Sequence, residues 1–249
     1  GRPLAIKSPS ESGEIVTNYE YDGFWTIITD PDGNDKVEIK DYLGRVVEVQ
    51  EDEDDGGTTY YSYNAAGDLR TVEDEYANTT TINYDLLGRK INMTDPDMGY
   101  WQYTSYDGNG NLLTQIDAKN QTITFAYDQL NRMIHKSYST SDPAVTYVYD
   151  NTTSGANGKG LIYSVSNGNV TTKNHSYDTM GRVLSVKKTI TGDSERTTLY
   201  SYDYSGKVLS MTYPGGYIVT NEYYAGSNLL WKVKNGSTEL ATISNYKPT

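Results

Sequence analysis

The segment Ile82 to Ile91, read as INYDLLGRKI, returns from one end of the chain to the other, and this periodicity constrains the fold more than any other property. Aligned on its glycine it reappears as KDYLGRVV, YNAAGDL, YDGNGNLL, YDQLNRMI, YDTMGRVL, YDYSGKVL and YYAGSNLL. Gly44, Gly67, Gly88, Gly110, Asn131, Gly181, Gly206 and Ser227 then share one column, and a looser copy places Gly160 between Asn131 and Gly181. Most intervals are 21 to 23 residues. So short a period means a repeat array, in which each copy is one supersecondary unit that buries its apolar face only against its neighbours.

One copy shows what that unit is. In Tyr84-Asp85-Leu86-Leu87-Gly88-Arg89 the aspartate can bond the backbone of the turn it opens, and the glycine supplies the left-handed residue that closes a type I turn with a G1 bulge. The same motif recurs at Tyr106, Asp107 and Gly110; at Tyr127, Asp128, Asn131 and Arg132; at Tyr177, Asp178, Gly181 and Arg182; and at Tyr202, Asp203 and Gly206. Asn131 fits the glycine column because asparagine enters the left-handed region at low cost. Ser227 fits it less well, and Gly226 beside it offers a turn moved by one residue.

On either side of this turn the residues alternate with period two, as in Thr122-Ile123-Thr124-Phe125-Ala126-Tyr127 before it and Leu112-Leu113-Thr114-Gln115-Ile116 after it. Between copies lie second turns such as Asp30-Pro31-Asp32-Gly33, Asp95-Pro96-Asp97 and Pro214-Gly215-Gly216. The pattern predicts an all-β fold, an antiparallel hairpin array of about twenty strands over residues 1–249. An open sheet that long should coil or fold on itself.

Leu, Ile, Val and Phe make up only about 18% of the chain, a level that normally marks disorder. The 25 tyrosines reverse that reading, because tyrosine has high strand propensity and buries a large ring while keeping a hydroxyl for a polar neighbour. A core of stacked tyrosines is expected. A net charge of −12 argues against nucleic acid and anionic membrane surfaces, and no apolar run is long enough for membrane insertion. With no cysteine there is no disulfide or thiolate site.

Catalysis finds no constellation. A nucleophile–base pair needs a tuned acid, His or Cys held by a third group, and the chain has only His135 and His175, in equivalent strand regions of different repeats, so no catalytic residue is assigned. Two histidines without cysteine also argue against zinc. The acidic run Glu51-Asp52-Glu53-Asp54-Asp55 lacks the alternate spacing of a calcium loop, and Asp30-Pro31-Asp32-Gly33-Asn34-Asp35 lacks the downstream Glu that would complete one. Both read as solvated turns, and neither a metal nor a cofactor is expected. The one clear insertion, Tyr149 to Gly160, is polar and Gly-rich and reads as a mobile surface loop before a strand from Leu161. Asn-x-Ser/Thr sequons at Asn78, Asn92, Asn120, Asn151, Asn169, Asn174 and Asn235 permit glycosylation without implying it.

The first residues, from Gly1-Arg2, read as the second half of a repeat, and the last, around Tyr246, as the first half of one. The array thus holds nine to ten copies that start and finish mid-repeat. The expectation is a polymer junction at Gly1, Arg2 and Tyr246, with copies completing each other's hairpins head to tail, or a window of a longer array.

The Tyr-Asp-x-x-Gly-Arg unit, the Asp-Pro-Asp-Gly linker and the run DPDMGYWQYTSYDGNGNLLTQIDAKNQTITFAYD resemble the Rhs or YD-repeat family of bacteria, and with it the YD shells of teneurins and insecticidal toxin-complex subunits. The resemblance covers essentially the whole chain. It implies a continuous β-sheet spiralling into a hollow shell or tube that often encloses a C-terminal toxin. No segment matches the family's Asp-Pro autoproteolytic core; Asp30-Pro31, Asp95-Pro96 and Asp142-Pro143 lie in ordinary turns and inherit no protease role. Two functions follow as expectations. The first is a non-catalytic extracellular or cell-surface fibre or shell wall, partnered by further copies of itself or by an enclosed toxin. The second is an adhesin surface in which Trp25, Trp101 and Trp231 meet a glycan.

Overall fold

The computed structural model describes residues 2–10, 13–51, 57–244 and 246. Among them there is no helix, and 22 strands follow in chain order. Packing divides the chain into two units, Gly1–Ser105 with Gln115–Asn120 and Tyr246–Thr249, and Tyr106–Thr114 with Gln121–Asn245.

The first unit holds β1 (Ala5–Ser10), β2 (Gly13–Asp22), β3 (Trp25–Thr29), β4 (Asp35–Lys40), β5 (Val46–Glu51), β6 (Thr58–Tyr63), β7 (Leu69–Glu73), β8 (Thr79–Tyr84), β9 (Lys90–Asp95) and all but the last residue of β10 (Gly99–Tyr106). Each pairs antiparallel with the next, from β1–β2 to β9–β10. Next comes β11 (Leu112–Ile116), which begins in the second unit. That unit continues with β12 (Thr122–Tyr127), β13 (Met133–Tyr138), β14 (Val145–Asn151), β15 (Gly158–Ser166), β16 (Val170–Tyr177), β17 (Val183–Ile190), β18 (Arg196–Tyr202), β19 (Val208–Thr212), β20 (Ile218–Tyr223), β21 (Leu230–Asn235) and β22 (Thr238–Thr242). It is a second antiparallel meander, paired in sequence from β12 to β22.

The meander places every Tyr-Asp turn of a unit on one edge and every linker turn on the other, because each follows an even-numbered or an odd-numbered strand respectively. The two edges are built differently. Within a hairpin the ladder runs up to the Tyr-Asp turn, as from Lys36–Glu51 to Lys40–Val46 across β4–β5. Between hairpins it stops short: β5–β6 is held by Glu48–Tyr60, Val49–Thr59 and Gln50–Thr58, and β7–β8 by Thr71–Thr81, Val72–Thr80 and Glu73–Thr79. At these joints neighbouring hairpins are therefore zipped at the linker edge and lack a backbone ladder at the Tyr-Asp edge, whereas β3–β4 stays laddered up to Trp25–Ile39.

Six of the Tyr-Asp hairpins, β4–β5, β6–β7, β8–β9, β12–β13, β18–β19 and β20–β21, also skip one residue of register beside the turn. Tyr84 faces Lys90 while Asn83 faces Asn92, which leaves Ile91 as the extra residue of a bulge; Leu209 and Trp231 hold the same place further on. Such a bulge increases local twist and turns the following side chains.

Burial is shallow. Among the described residues the buried apolar side chains are Ile82, Ile123, Ala156 and Tyr177, and none falls below 2% exposure. Two expectations are corrected here. Equivalent tyrosines lie two strands apart, about 10 Å, beyond the 4.5–7 Å at which rings pair, so the partner that recurs at the hairpin joints is a cation, and the stacked pair Tyr19–Tyr21 at 6.4 Å lies within a strand. The insertion, expected as a mobile loop, folds back into the second unit. Ala156 is 3% exposed, its carbonyl accepts from Tyr177 N–H at 2.8 Å, and Asn157 Nδ2 donates to the Tyr177 carbonyl at 3.1 Å. The returning strand begins at Gly158, earlier than Leu161, and a Cβ there would stand 2.7 Å from that of Asn151.

Candidate functional site

The recurring site is the Tyr-Asp turn with the joint it makes to the next hairpin. Asp85 shows the turn. Its Oδ1 accepts from the N–H groups of Leu87 and Arg89 at 2.9 Å each, its Oδ2 accepts from Arg89 Nε at 2.7 Å, and its carbonyl accepts from Gly88 N–H at 3.1 Å. Gly88 takes φ +74°. Asp41 with Arg45, Asp128 with Arg132 and Asp178 with Arg182 repeat this ion pair at 2.5 to 2.7 Å, and Asp203 with Lys207 keeps a longer one at 3.4 Å. Where asparagine follows the turn, as at Asn111, its amide donates to Asp107 Oδ2 at 2.8 Å in place of the guanidinium. At Asn64–Asp68 the roles reverse, the amide opening the turn and the carboxylate closing it.

The glycine column behaves as turn chemistry requires. Gly110, Gly181 and Gly206 have φ of +86°, +79° and +96°, and Asn131 sits at +61°. In the last copy Gly226, at φ +72°, takes the bend, Ser227 N–H donates to the Tyr224 carbonyl, and the turn is one residue longer. A linker-edge turn that the sequence did not single out uses the same device: Asp74 accepts from Tyr76 and Asn78 N–H, and Ala77 is held at φ +63°.

The joint between hairpins is a rung made of a cation, a tyrosine ring and a carbonyl. Arg45 lies 4.6 Å over the Tyr63 ring, whose hydroxyl donates to the carbonyl of Val46 at 2.7 Å. Arg132 over Tyr149 with Met133, Arg182 over Tyr202 with Val183, and Lys207 over Tyr223 with Val208 repeat the arrangement, with hydroxyl bonds of 2.9, 2.9 and 3.0 Å. Arg2 belongs to the same series, 5.1 Å over Tyr21, whose hydroxyl donates to Pro3. Tyr177 bonds the Ile162 carbonyl in the same way. Each rung stands where the backbone ladder between hairpins has ended. The cation also reaches forward to the next turn: Arg182 Nη1 donates to the Asp203 carbonyl at 2.6 Å, Lys207 Nζ to Ser227 at 3.1 Å, and Arg132 Nη2 to the Asp150 carboxylate at 2.8 Å. At the Asn131 turn both Asn109 and Asn111 amides donate to its Oδ1, at 2.9 and 2.8 Å.

The electrostatics follow from these bonds. The Arg89 N–H and guanidinium hold Asp85 below the usual carboxylate range. Burial pulls Asp203 upward, but bonds from Ser205 and Lys207 outweigh it and leave it at about 2. Burial raises the Tyr63, Tyr84, Tyr127 and Tyr202 phenols.

Tyr84, Tyr127, Tyr177 and Tyr202 are thus the last residues of strands leading into their turns, as is Tyr106 before Asp107. Of the junction residues, Gly1 lies outside the described residues, as do acids 52–55 of the acidic run, while Tyr246 is 36% exposed. His135 on β13 stands 3.4 Å from the Thr146 hydroxyl, in a shallow groove with Arg132, Tyr149 and Asp150. His175 lies on β16. Trp25 and Trp231 are 47% and 39% exposed, whereas Trp101 is half-buried and donates to the Met98 carbonyl at 3.0 Å. Asn151, one of the sequons, is buried.

Known proteins place this geometry. A family model described as RHS Repeat matches residues 106–144. The chain carries an RHS repeat. No curated protein matches the chain. Among solved structures, the TcdB2-TccC3 complex is 20% identical with a TM-score of 0.65, and the Photorhabdus luminescens Tc holotoxin pore is 19% identical with a TM-score of 0.64. The TcdB2-TccC3-Cdc42 structure gives 18% and 0.65. Each likeness covers 94% of this chain and 14% of the other. The chain thus shares its all-β repeat fold with those toxin-complex chains and spans about one seventh of their length. The RHS segment contains two of the turns described above, at Asp107 and Asp128.

Proposed function

We propose that this chain is a stretch of non-catalytic RHS/YD-repeat wall, one continuous array across residues 1–249, that coils outside the cell around an enclosed cargo. The observation that carries the reading is the asymmetry of the hairpin joint. A row of hairpins zipped by backbone at one edge and wedged by arginine and tyrosine at the other is a row of tapered units, and tapered units in series curve. The fold shared with TcdB2-TccC3 over 94% of the chain supports the same reading. So does the chemistry of the rung, which offers a cation already paired with a carboxylate and a phenol already bonded to a carbonyl, and so no free nucleophile or base.

Electron microscopy of purified protein at rising concentration tests this. Curved sheets or hollow particles support the wall. Straight filaments with an axial repeat of one chain favour an extracellular fibre built head to tail through Gly1, Arg2 and Tyr246, and compact globules with neither form count against both.

A further inference from the structure

The Tyr-Asp turns of the first unit present a second feature, unrelated to the rung. The two residues at a turn tip are normally polar or small, yet Tyr42 and Leu43 are 83% and 62% exposed, and Leu86 and Leu87 are 104% and 77% exposed. Between them, on the same edge, the tip of the intervening turn carries the exposed pair Ala65 and Ala66. Successive tips stand two strands apart, about 10 Å. These three tips therefore read as an apolar knob, a gap and an apolar knob, preceded on the same edge by the exposed Phe24.

We propose that this row of tips is an interface for a second copy of the chain. Two things identify the occupant. The first is shape: a row that alternates knob and gap complements itself when a second row runs antiparallel and shifts by one tip. The Leu86–Leu87 knob of each copy then enters the Ala65–Ala66 gap of the other, around a two-fold axis of the isologous kind. The second is charge. Copies carrying −12 repel one another, but at the two knobs the turn carboxylates are neutralised within their own turns, Asp41 by Arg45 and Asp85 by Arg89, both at 2.6 Å. The linker edge of the same unit is acidic by contrast, with Asp30, Asp32, Asp74, Glu75, Asp95 and Asp97 at its turns. An edge whose apolar knobs are neutralised within their own turns, with Asp68 of the gap turn bonded to the Asn64 amide, is where a like-charged copy meets less repulsion than at the acidic linker edge. This inference adds to the wall reading a way for two such sheets to meet edge on, and does not depend on it.

Light scattering of the full chain at rising concentration should show a dimer that strengthens with salt, since salt screens the repulsion and leaves the apolar contact. The double variant Leu86→Ser with Leu87→Ser, and separately Ala66→Trp, should each weaken the dimer at least about ten-fold, while the melting temperature of the dilute, monomeric chain stays unchanged, because all three positions are exposed. A wild-type chain that stays monomeric, or a dimer indifferent to both variants, overturns the proposal. The chain has no cysteine, so the register can be read directly. Ala66→Cys and Leu86→Cys should form a disulfide when mixed and not when oxidised alone, and a Leu86→Cys chain that cross-links to itself alone overturns the two-fold register. Curved sheets seen by microscopy from a chain that fails these tests would leave the wall reading intact.

Discussion

At the residue scale the turn is a closed set of bonds around one carboxylate and one left-handed residue. Gly88 sits at φ +74°, a conformation that is strained for a residue with a side chain, while the nearest atom to a Cβ there, Asp68 Oδ1 at 3.6 Å, would be an ordinary contact. Gly88→Val should destabilise the protein by on the order of 1–3 kcal/mol, read as a lower melting temperature. Gly88→Asn should lose less, since Asn131 already occupies that conformation. An unaltered melt in Gly88→Val would contradict the turn assignment. This chemistry was readable from the Asp-x-x-Gly pattern and from the asparagine that replaces the glycine. Ala77 at φ +63° was not, because alanine has no preference for that region; Asp74 and Asn78 hold it there through bonds that only the folded turn assembles. Likewise, whether Gly226 or Ser227 bends the last turn depends on the register of β20 against β21.

At the element scale the question is what joins one hairpin to the next where the ladder stops. Tyr202→Phe removes the bond to the Val183 carbonyl and keeps the ring, so it should cost about 1 kcal/mol. Arg182→Ala takes away the ion pair to Asp178, the contact with Tyr202 and the bond to the Asp203 carbonyl together. It should therefore lower the melting temperature more than Arg196→Ala, whose ion pair with Asp193 is an exposed one within a linker turn. Equal effects of the two arginine variants would mean that the rung contributes nothing to stability. The sequence sets an arginine four residues after the turn aspartate, and in the folded turn the two pair. It did not reveal the tyrosine beneath each guanidinium, because Arg45 and Tyr63, or Arg182 and Tyr202, lie nearly a full repeat apart and meet only when two hairpins stand side by side. The insertion after Tyr149 was misjudged for a related reason. Polar, Gly-rich composition describes a loop that solvent can cover, whereas Ala156 is covered by the hairpin that ends in Tyr177.

For the whole molecule, the repeated turns make stability depend on pH at both extremes. Asp203 is lowered from 3.8 to about 2, so its contribution is complete above pH 3.8 and is lost as pH falls toward 2. Asp41, Asp85, Asp107, Asp128 and Asp178 shift in the same direction and reinforce it. Tyr202 is raised above 10.0, so its contribution is complete below pH 10.0 and is lost as pH rises through the raised value; Tyr63, Tyr84 and Tyr127 follow. Melting temperature should stay level between about pH 5 and 9 and fall at both ends, the alkaline fall coinciding with phenolate absorbance. A melt that keeps rising below pH 4 would show that the carboxylates are not bonded as described. The strands, their antiparallel order, the two kinds of turn and the position of most bends, those at Ala77 and Gly226 apart, are local matters, set by period-two alternation and by which residues tolerate a left-handed backbone, and the chain's order of residues suffices for them. The pairing of cation, ring and carbonyl across hairpins, the shallow burial, and the alignment of apolar tips along one edge depend on which strands become neighbours, and contacts between residues so far apart in the chain come into being only through tertiary structure.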